Sequence, residues 1–75
     1  MPKLHPTLTA FGRNVRRLRE EVNYSQEKLA EKADLDQTYI SGIERGIRNP
    51  GIKNVARIAK ALGTTTAVLC KGVEA

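Results

Sequence analysis

Residues 25–45, SQEKLAEKADLDQTYISGIER, decide the fold, because they encode two short helices separated by a tight turn. In the first half of this stretch, Leu29, Ala30 and Ala33 recur at helical spacing and form one apolar face. Ser25 precedes the helix as an N-cap, whose side-chain oxygen accepts a hydrogen bond from an otherwise unpaired backbone N–H. The first half therefore predicts an amphipathic helix with one buried face.

The turn and the second helix follow from the next residues. Asp34 tolerates a left-handed backbone, and Asp36 supplies the cap of a new helix. This helix, predicted over residues 37–45, buries Ile40 and Ile43 and leaves a polar face exposed. Two short helices joined by a tight turn, the second with a polar face, are typical of a helix-turn-helix, whose second helix enters the major groove of DNA.

Three further helices are predicted around this pair. The first runs over residues 7–22, where an apolar residue recurs every three or four positions, at Leu8, Phe11, Val15, Leu18 and Val22. A fourth helix over residues 52–62 has an inward face formed by Ile52, Val55, Ile58, Ala59 and Leu62. A short fifth helix covers residues 66–71. No alternating run predicts a strand, so the fold class is all-α, a compact domain of five helices.

The chain of 75 residues predicts one small domain. Residues 1–6 contain two prolines and predict a flexible N-terminal arm, residues 7–71 form the helical domain, and residues 72–75 form a short tail. A chain of this length buries only somewhat more than about 60% of its unfolded surface on folding. Its core is therefore marginal, and dimerisation would stabilise it.

The charge balance indicates a polyanionic partner. Thirteen Lys and Arg against eight Asp and Glu give a net charge of +5, which suits nucleic acid or a membrane surface and is also found in ordinary soluble proteins. No segment approaches the roughly 20 apolar residues of a membrane span, and the N-terminus lacks the apolar run of a signal peptide. The expected location is the cytoplasm, with no membrane partner.

The residues that commonly carry catalysis or bind metals are scarce. Cys70 is the only cysteine, which excludes an internal disulfide and a zinc-binding cysteine cluster, and His5 is the only histidine. No nucleophile–base spacing and no glycine-rich phosphate loop is present. We therefore expect neither an enzyme nor a metal or other cofactor.

Several short motifs resemble the phage-repressor/Cro (Xre-type) family of DNA-binding proteins over roughly residues 11–69. The matching residues are Gln26-x-x-Leu29-Ala30, Tyr39-Ile40-Ser41-x-Ile43-Glu44-Arg45-Gly46, Asn49-Pro50 and Ala61-Leu62-Gly63. Residues 35–45 are similar in particular to the small controller proteins of restriction–modification operons. Asn23 and Asp34 stand where the family usually has glycine, a mild departure because both residue types visit the left-handed region.

The resemblance implies a function and two structural features. It implies a sequence-specific transcriptional regulator that binds a palindromic double-stranded DNA operator as a homodimer, with no small-molecule ligand. It implies a largely buried ion pair between Arg19 and Glu44, which joins the first helix to the recognition helix. It also implies a dimer interface on the C-terminal helices, where the apolar contacts are Leu62, Val68, Leu69 and Cys70.

Four residues of the second helix are the candidates for reading bases. Thr38, Ser41 and Arg45 share one face at spacings of three and four, and Gln37 stands beside them at the helix start. Gln pairs with adenine, Arg with guanine, and the Thr methyl group contacts the methyl group of thymine. An ordinary solvated face has the same periodicity. It is the family resemblance that favours the DNA interpretation.

Five residues are candidates for binding phosphate: Gln26, Tyr39, Arg48, Asn49 and Lys53. Gln26 begins a helix, whose free N–H groups favour an anion, Tyr39 lies in the recognition helix, and the other three follow it. The Tyr39 ring is expected to pack, with its hydroxyl directed to a phosphate. Gly42 interrupts a short helix, and the sequence leaves open whether a neighbouring helix or the DNA backbone approaches there.

An alternative from another functional class is a protein–protein module. An antitoxin-like protein uses the same fold chiefly to bind another protein. The surface of the fifth helix and residues 72–75 are the candidate site for such a partner.

Overall fold

The computed structural model describes residues 5–74. Within them the elements are five helices: α1 (Pro6–Glu21), α2 (Gln26–Ala33), α3 (Gln37–Glu44), α4 (Ile52–Ala61) and α5 (Thr66–Leu69). The all-α prediction is confirmed, and α2 and α3 are the two halves of the predicted helix-turn-helix. No helix in this part of the chain is long and apolar enough to cross a membrane.

Helix α1 begins one residue earlier than predicted, at Pro6. Proline suits the first position of a helix, because its missing N–H would have no intrahelical partner there. The predicted arm is therefore shortened by one residue, and residues 1–4 of it lie outside the described residues. After α1, Asn23 has a φ of 60°, the left-handed conformation expected of a residue in a glycine position.

The turn between α2 and α3 has the predicted chemistry. The Ser25 hydroxyl accepts a hydrogen bond from the backbone N–H of Lys28 at 3.0 Å, which caps α2. Asp34 adopts a φ of 57° and ends α2, and the Asp36 carboxylate accepts from the backbone N–H of Thr38 at 2.7 Å. These local interactions fix the angle at which α3 leaves α2.

One core joins all five helices. Its buried side chains are Phe11, Val15, Leu29, Ala30, Ala33, Ile40, Ile43, Val55, Ile58, Ala59, Leu62 and Leu69. Helix α1 approaches the end of α3 so closely that a Cβ on Gly12 would lie 2.3 Å from the carbonyl oxygen of Ile43. The Asn14 amide donates to the carbonyl oxygens of Leu69 and Lys71, each at 2.9 Å, which attaches the end of α5 to α1.

The structure corrects the predicted inward faces at their ends. Ile52 is 77% exposed, and Val22 is also exposed. Ile52 is the first residue of α4, a full turn before Val55, and the apolar stripe there extends past the edge of the core. Val22 follows the last residue of α1 as its C-cap. Both positions keep helical spacing, but no element within residues 5–74 covers them.

The chain after α5 packs back onto α1. Helix α5 was predicted to end at residue 71, and in the structure it ends at Leu69. Val73 packs against the core, and the Thr7 hydroxyl donates to the carbonyl oxygen of Glu74. Residues 72–74 of the predicted tail are therefore attached to the domain, and residue 75 lies outside the described residues.

The close approach at Gly12 generates a stability prediction. Gly12→Ala places its Cβ against two backbone carbonyls of α3, which cannot yield as a flexible side chain does. We expect a loss of about 1–3 kcal/mol in the free energy of unfolding, measured by urea denaturation. The control is Gly51→Ser, because a Cβ there meets no other part of the fold within 4 Å and serine suits this N-cap position of α4. Equal losses in the two variants would contradict the close packing of α1 on α3.

Candidate DNA-binding interface

The candidate base-reading residues lie on the outer face of α3. Gln37, Thr38 and Arg45 are exposed, and Ser41 is partly exposed between them. The opposite face of the helix is anchored by Ile40 and Ile43, which are fully buried. Arg45 forms the C-cap, and its Nε donates to the carbonyl oxygen of Ser41 at 3.4 Å, while within residues 5–74 its outer guanidinium nitrogens have no hydrogen-bond partner. The structure thus places all four side chains on one accessible surface.

A bidentate ion pair holds this helix against α1. Arg19 Nε donates to Glu44 Oε2 at 2.6 Å, and Arg19 Nη2 donates to Glu44 Oε1 at 2.9 Å. The Arg19 side chain is 12% exposed and that of Glu44 only 3%. The remaining terminal nitrogen, Nη1, donates to the carbonyl oxygen of Tyr24 at 2.8 Å. Fixed donor and acceptor geometry at both ends of the pair makes it an orienting contact.

The charge on Arg19 is insensitive to physiological pH. The hydrogen bond to Glu44 is the main cause that raises the pKa of the Arg19 guanidinium above its ordinary value, against the opposing effect of burial. A raised pKa contributes stability that is fully present below the unfolded-state value and is lost only as pH rises through the folded-state value. Arg19 therefore stays charged wherever the domain is folded near neutral pH.

Gln26 is connected to the same ion pair. Its amide nitrogen donates to Glu44 Oε1 at 3.0 Å, so one amide hydrogen is used within the domain. The amide group has a second hydrogen, which is available for a phosphate oxygen. Gln26 is partly exposed at the first position of α2. The predicted phosphate contact is thereby tied to the pair that orients α3.

Tyr39 has a partner that the sequence analysis missed. Its ring packs against the core, and its hydroxyl oxygen accepts a hydrogen bond from the Asn54 side-chain nitrogen at 3.0 Å. Because the hydroxyl accepts this bond, its own hydrogen is free to be donated outward. Asn54 in the first turn of α4 carries no sequence signal that distinguishes it from an ordinary solvated amide.

The structure also accounts for Gly42. A Cβ at this position would lie 2.5 Å from Cγ of Arg48, so the aliphatic stem of Arg48 lies against the surface of α3. The sequence left open whether a neighbouring helix or the DNA backbone approaches Gly42. In the structure it is a side chain of the following loop that occupies this space. Arg48, Asn49 and Lys53 are all exposed beyond α3, on the loop and the first turn of α4.

Two of the four predicted dimer contacts are wrong. Leu62 is 7% exposed and Leu69 0%, so both belong to the core of the single chain. Helix α5 has only four residues, and Leu69 is the one that turns inward to cover α1 and α4. Val68 is 45% exposed and Cys70 is partly exposed, so these two remain on the surface.

Two helices of eight residues each, joined by a capped turn, with a polar face exposed on the second, define a helix-turn-helix protein. A family model described as helix-turn-helix matches residues 15–69. The control protein C.BamHI of Bacillus amyloliquefaciens is 56% identical over 54 residues, which cover 71% of this chain and 67% of that protein. The chain belongs to the helix-turn-helix family, of the Xre type.

Solved structures of restriction–modification controller proteins share this fold. C.AhdI from Aeromonas hydrophila matches with a TM-score of 0.85 at 38% identity, covering 87% of this chain and 98% of that one. The C.Esp1396I tetramer, in complex with its natural 35 base-pair operator, matches with a TM-score of 0.80 at 39% identity. That match covers 89% of this chain and 88% of the other.

The ion pair generates the prediction for this site. Glu44→Ala leaves the Arg19 guanidinium with only the Tyr24 carbonyl as partner, and breaking a buried pair costs about 3–5 kcal/mol. We expect a corresponding fall in the free energy of unfolding, measured by chemical denaturation. Glu31→Ala is the control, because Glu31 is exposed and its one ion pair, with Lys28 at 3.4 Å, lies on the surface. A loss no larger than that of Glu31→Ala would contradict the orienting role.

Proposed function

We propose that the protein is a sequence-specific transcriptional regulator that binds a palindromic double-stranded DNA operator as a homodimer and controls a restriction–modification operon that includes its own gene. The observation that carries this proposal is the exposed face of α3, which presents Gln37, Thr38, Ser41 and Arg45 from a rigidly held helix. The similarity to proteins named as controllers supports the regulatory role.

The candidate residues divide between specificity and affinity. Side chains on α3 carry donors and acceptors that distinguish base pairs in the major groove. The second group, Gln26, Tyr39, Arg48, Asn49 and Lys53, surrounds that face with groups that donate hydrogen bonds or carry positive charge. Contacts to phosphate set the register and most of the affinity, and contacts to bases set the sequence preference.

A homodimer follows from the small footprint of one recognition helix. We place the interface on the surface shared by the start of α4 and α5, where Ile52 and Val68 are exposed. A shallow apolar cavity of about 170 Å³ is lined by residues near the start of α4 and the end of α5, among them Pro50, Val55 and Cys70. Apolar side chains that are open in the single chain become buried when two copies meet, and burying each contributes about 1.5–3 kcal/mol.

The DNA-binding role is tested by two arginine variants that serve as controls for each other. Arg45→Ala is expected to lose about 1–3 kcal/mol on the operator and to relax the preference at one base pair, while non-specific binding is retained. Arg48→Ala is expected to weaken all sequences about equally and to reduce the slope of log affinity against log salt by about 0.9. Fluorescence anisotropy at several salt concentrations measures both quantities.

The DNA for this measurement is the footprinted region upstream of the protein's own gene. Affinity that does not depend on salt would contradict the phosphate contacts. Unchanged discrimination in Arg45→Ala, together with unchanged discrimination in alanine variants at Gln37, Thr38 and Ser41, would contradict the placement of α3 in the groove.

The dimer is tested by Ile52→Asp. This residue is exposed at the first position of α4, where an acidic side chain suits the helix dipole, so the fold is expected to persist. We expect the dimer dissociation constant, measured by sedimentation equilibrium, to rise at least about tenfold, because two isoleucines leave the interface. Val22→Asp, an exposed apolar position at the end of α1, is the control. An unchanged dimer in Ile52→Asp would move the interface elsewhere.

A further inference from the structure

A concave surface between α2 and α4 is separate from the candidate DNA-binding residues. It encloses about 370 Å³, and we call it the basic cleft. Its lining residues are Tyr24, Lys32, Ala33, Arg57, Lys60 and Ala61. None of these belongs to the base-reading or phosphate-binding groups. Two of these residues are alanines, whose small side chains leave the space open, and the partly buried Tyr24 lines it as well.

In the described part of the chain, the cations of the basic cleft are not paired with carboxylates. Lys32, Arg57 and Lys60 are exposed, no acidic residue lines the cleft, and within residues 5–74 none of the three cations lies within salt-bridge distance of a carboxylate. By contrast, Arg16 and Arg17 on α1 each pair with a glutamate one turn away. Unpaired charges of one sign that surround a concavity concentrate the potential there, so the cleft favours an anionic occupant.

The ends of the helices that line the cleft bear on which anion it binds. Lys32 and Lys60 lie in the last turns of α2 and α4, whose carbonyl ends carry partial negative charge that these two residues balance. Arg57 lies before the last turn of α4, so the helix dipole does not account for it. No residue from the first turn of a helix lines the cleft, and it therefore lacks the convergent backbone N–H groups that bind phosphate.

A carboxylate fits these surroundings better than a phosphate. The planar guanidinium of an arginine forms two parallel hydrogen bonds with a carboxylate, as it does with a phosphate, so the missing backbone donors are what favour the carboxylate here. Lysines on either side supply single charges for neighbouring carboxylates, and the Tyr24 ring supplies an apolar contact for the stems of acidic side chains. A volume of about 370 Å³ accommodates a few such side chains and not a folded domain.

We propose that the basic cleft is a docking site for an Asp- and Glu-rich segment of a partner protein. Because its residues are distinct from the candidate DNA-binding groups, the segment binds while α3 is engaged with DNA. Lys53 and Arg57 lie one turn apart on the same side of α4, and of the two only Arg57 lines the cleft. The protein thus presents one cationic surface to DNA and a second to protein.

The test uses isotope-labelled full-length protein and a peptide of alternating Asp and Glu, followed by amide chemical shifts in NMR. The titration is carried out after the protein has been saturated with a short DNA duplex, so that the peptide cannot occupy the DNA-binding surface. We expect shifts at the amides of Lys32, Ala33 and residues 57–61. The double variant Arg57→Ala, Lys60→Ala is expected to weaken peptide binding about tenfold and to keep operator binding, while Lys53→Ala does the reverse.

Each outcome decides between the proposal and a named alternative. Shifts confined to α3 and the following loop, or lost when DNA is present, would overturn the cleft as a separate site. Tighter binding of inorganic triphosphate than of the peptide to the same amides would overturn the carboxylate assignment in favour of a phosphate ligand. Failure of the peptide to bind would overturn the docking site and leave the DNA-binding proposal standing, because that proposal depends on different residues and a different titration.

Discussion

The ion pair between Arg19 and Glu44 is the contact on which the orientation of the recognition helix depends. The Glu44 side chain, 3% exposed, belongs to the last residue of α3, and the Arg19 guanidinium on α1 also donates to the backbone carbonyl of Tyr24. Burying both charges is costly in itself, so the pair is better understood as an orienting device than as a source of net stability. Gly12 allows the close approach of α1 and α3 that brings the two groups into contact.

This arrangement links the candidate DNA contacts to one another. Gln26 shares the Glu44 carboxylate, Tyr39 on α3 is held by Asn54 on α4, and Arg48 lies along α3 over Gly42. Three of the groups proposed to bind phosphate are therefore held by contacts with the helix that carries the candidate base-reading residues. A displacement of α3 would move these three groups together with that face.

Local chemistry accounts for what was predictable from the sequence. The N-caps at Ser25 and Asp36 and the left-handed turn at Asp34 depend only on neighbouring residues, and all three are present in the structure. Helical phase alone does not specify where the core ends. Ile52 extends an apolar stripe into solvent, while Leu69, assigned to the surface, is buried because α5 packs across α1 and α4. Asn54 and the Arg48–Gly42 contact depend on tertiary proximity between residues with no recognisable pattern.

The central claim is that α3 reads a defined DNA sequence on behalf of two symmetry-related copies. Selection of bound duplexes from a random-sequence pool tests it most directly. A two-fold dimer predicts an enriched sequence made of two inverted half-sites, whose centres are about one helical turn, some 34–36 Å, apart. Bound duplexes with no enriched sequence, or with a single half-site that lacks an inverted partner, would contradict it.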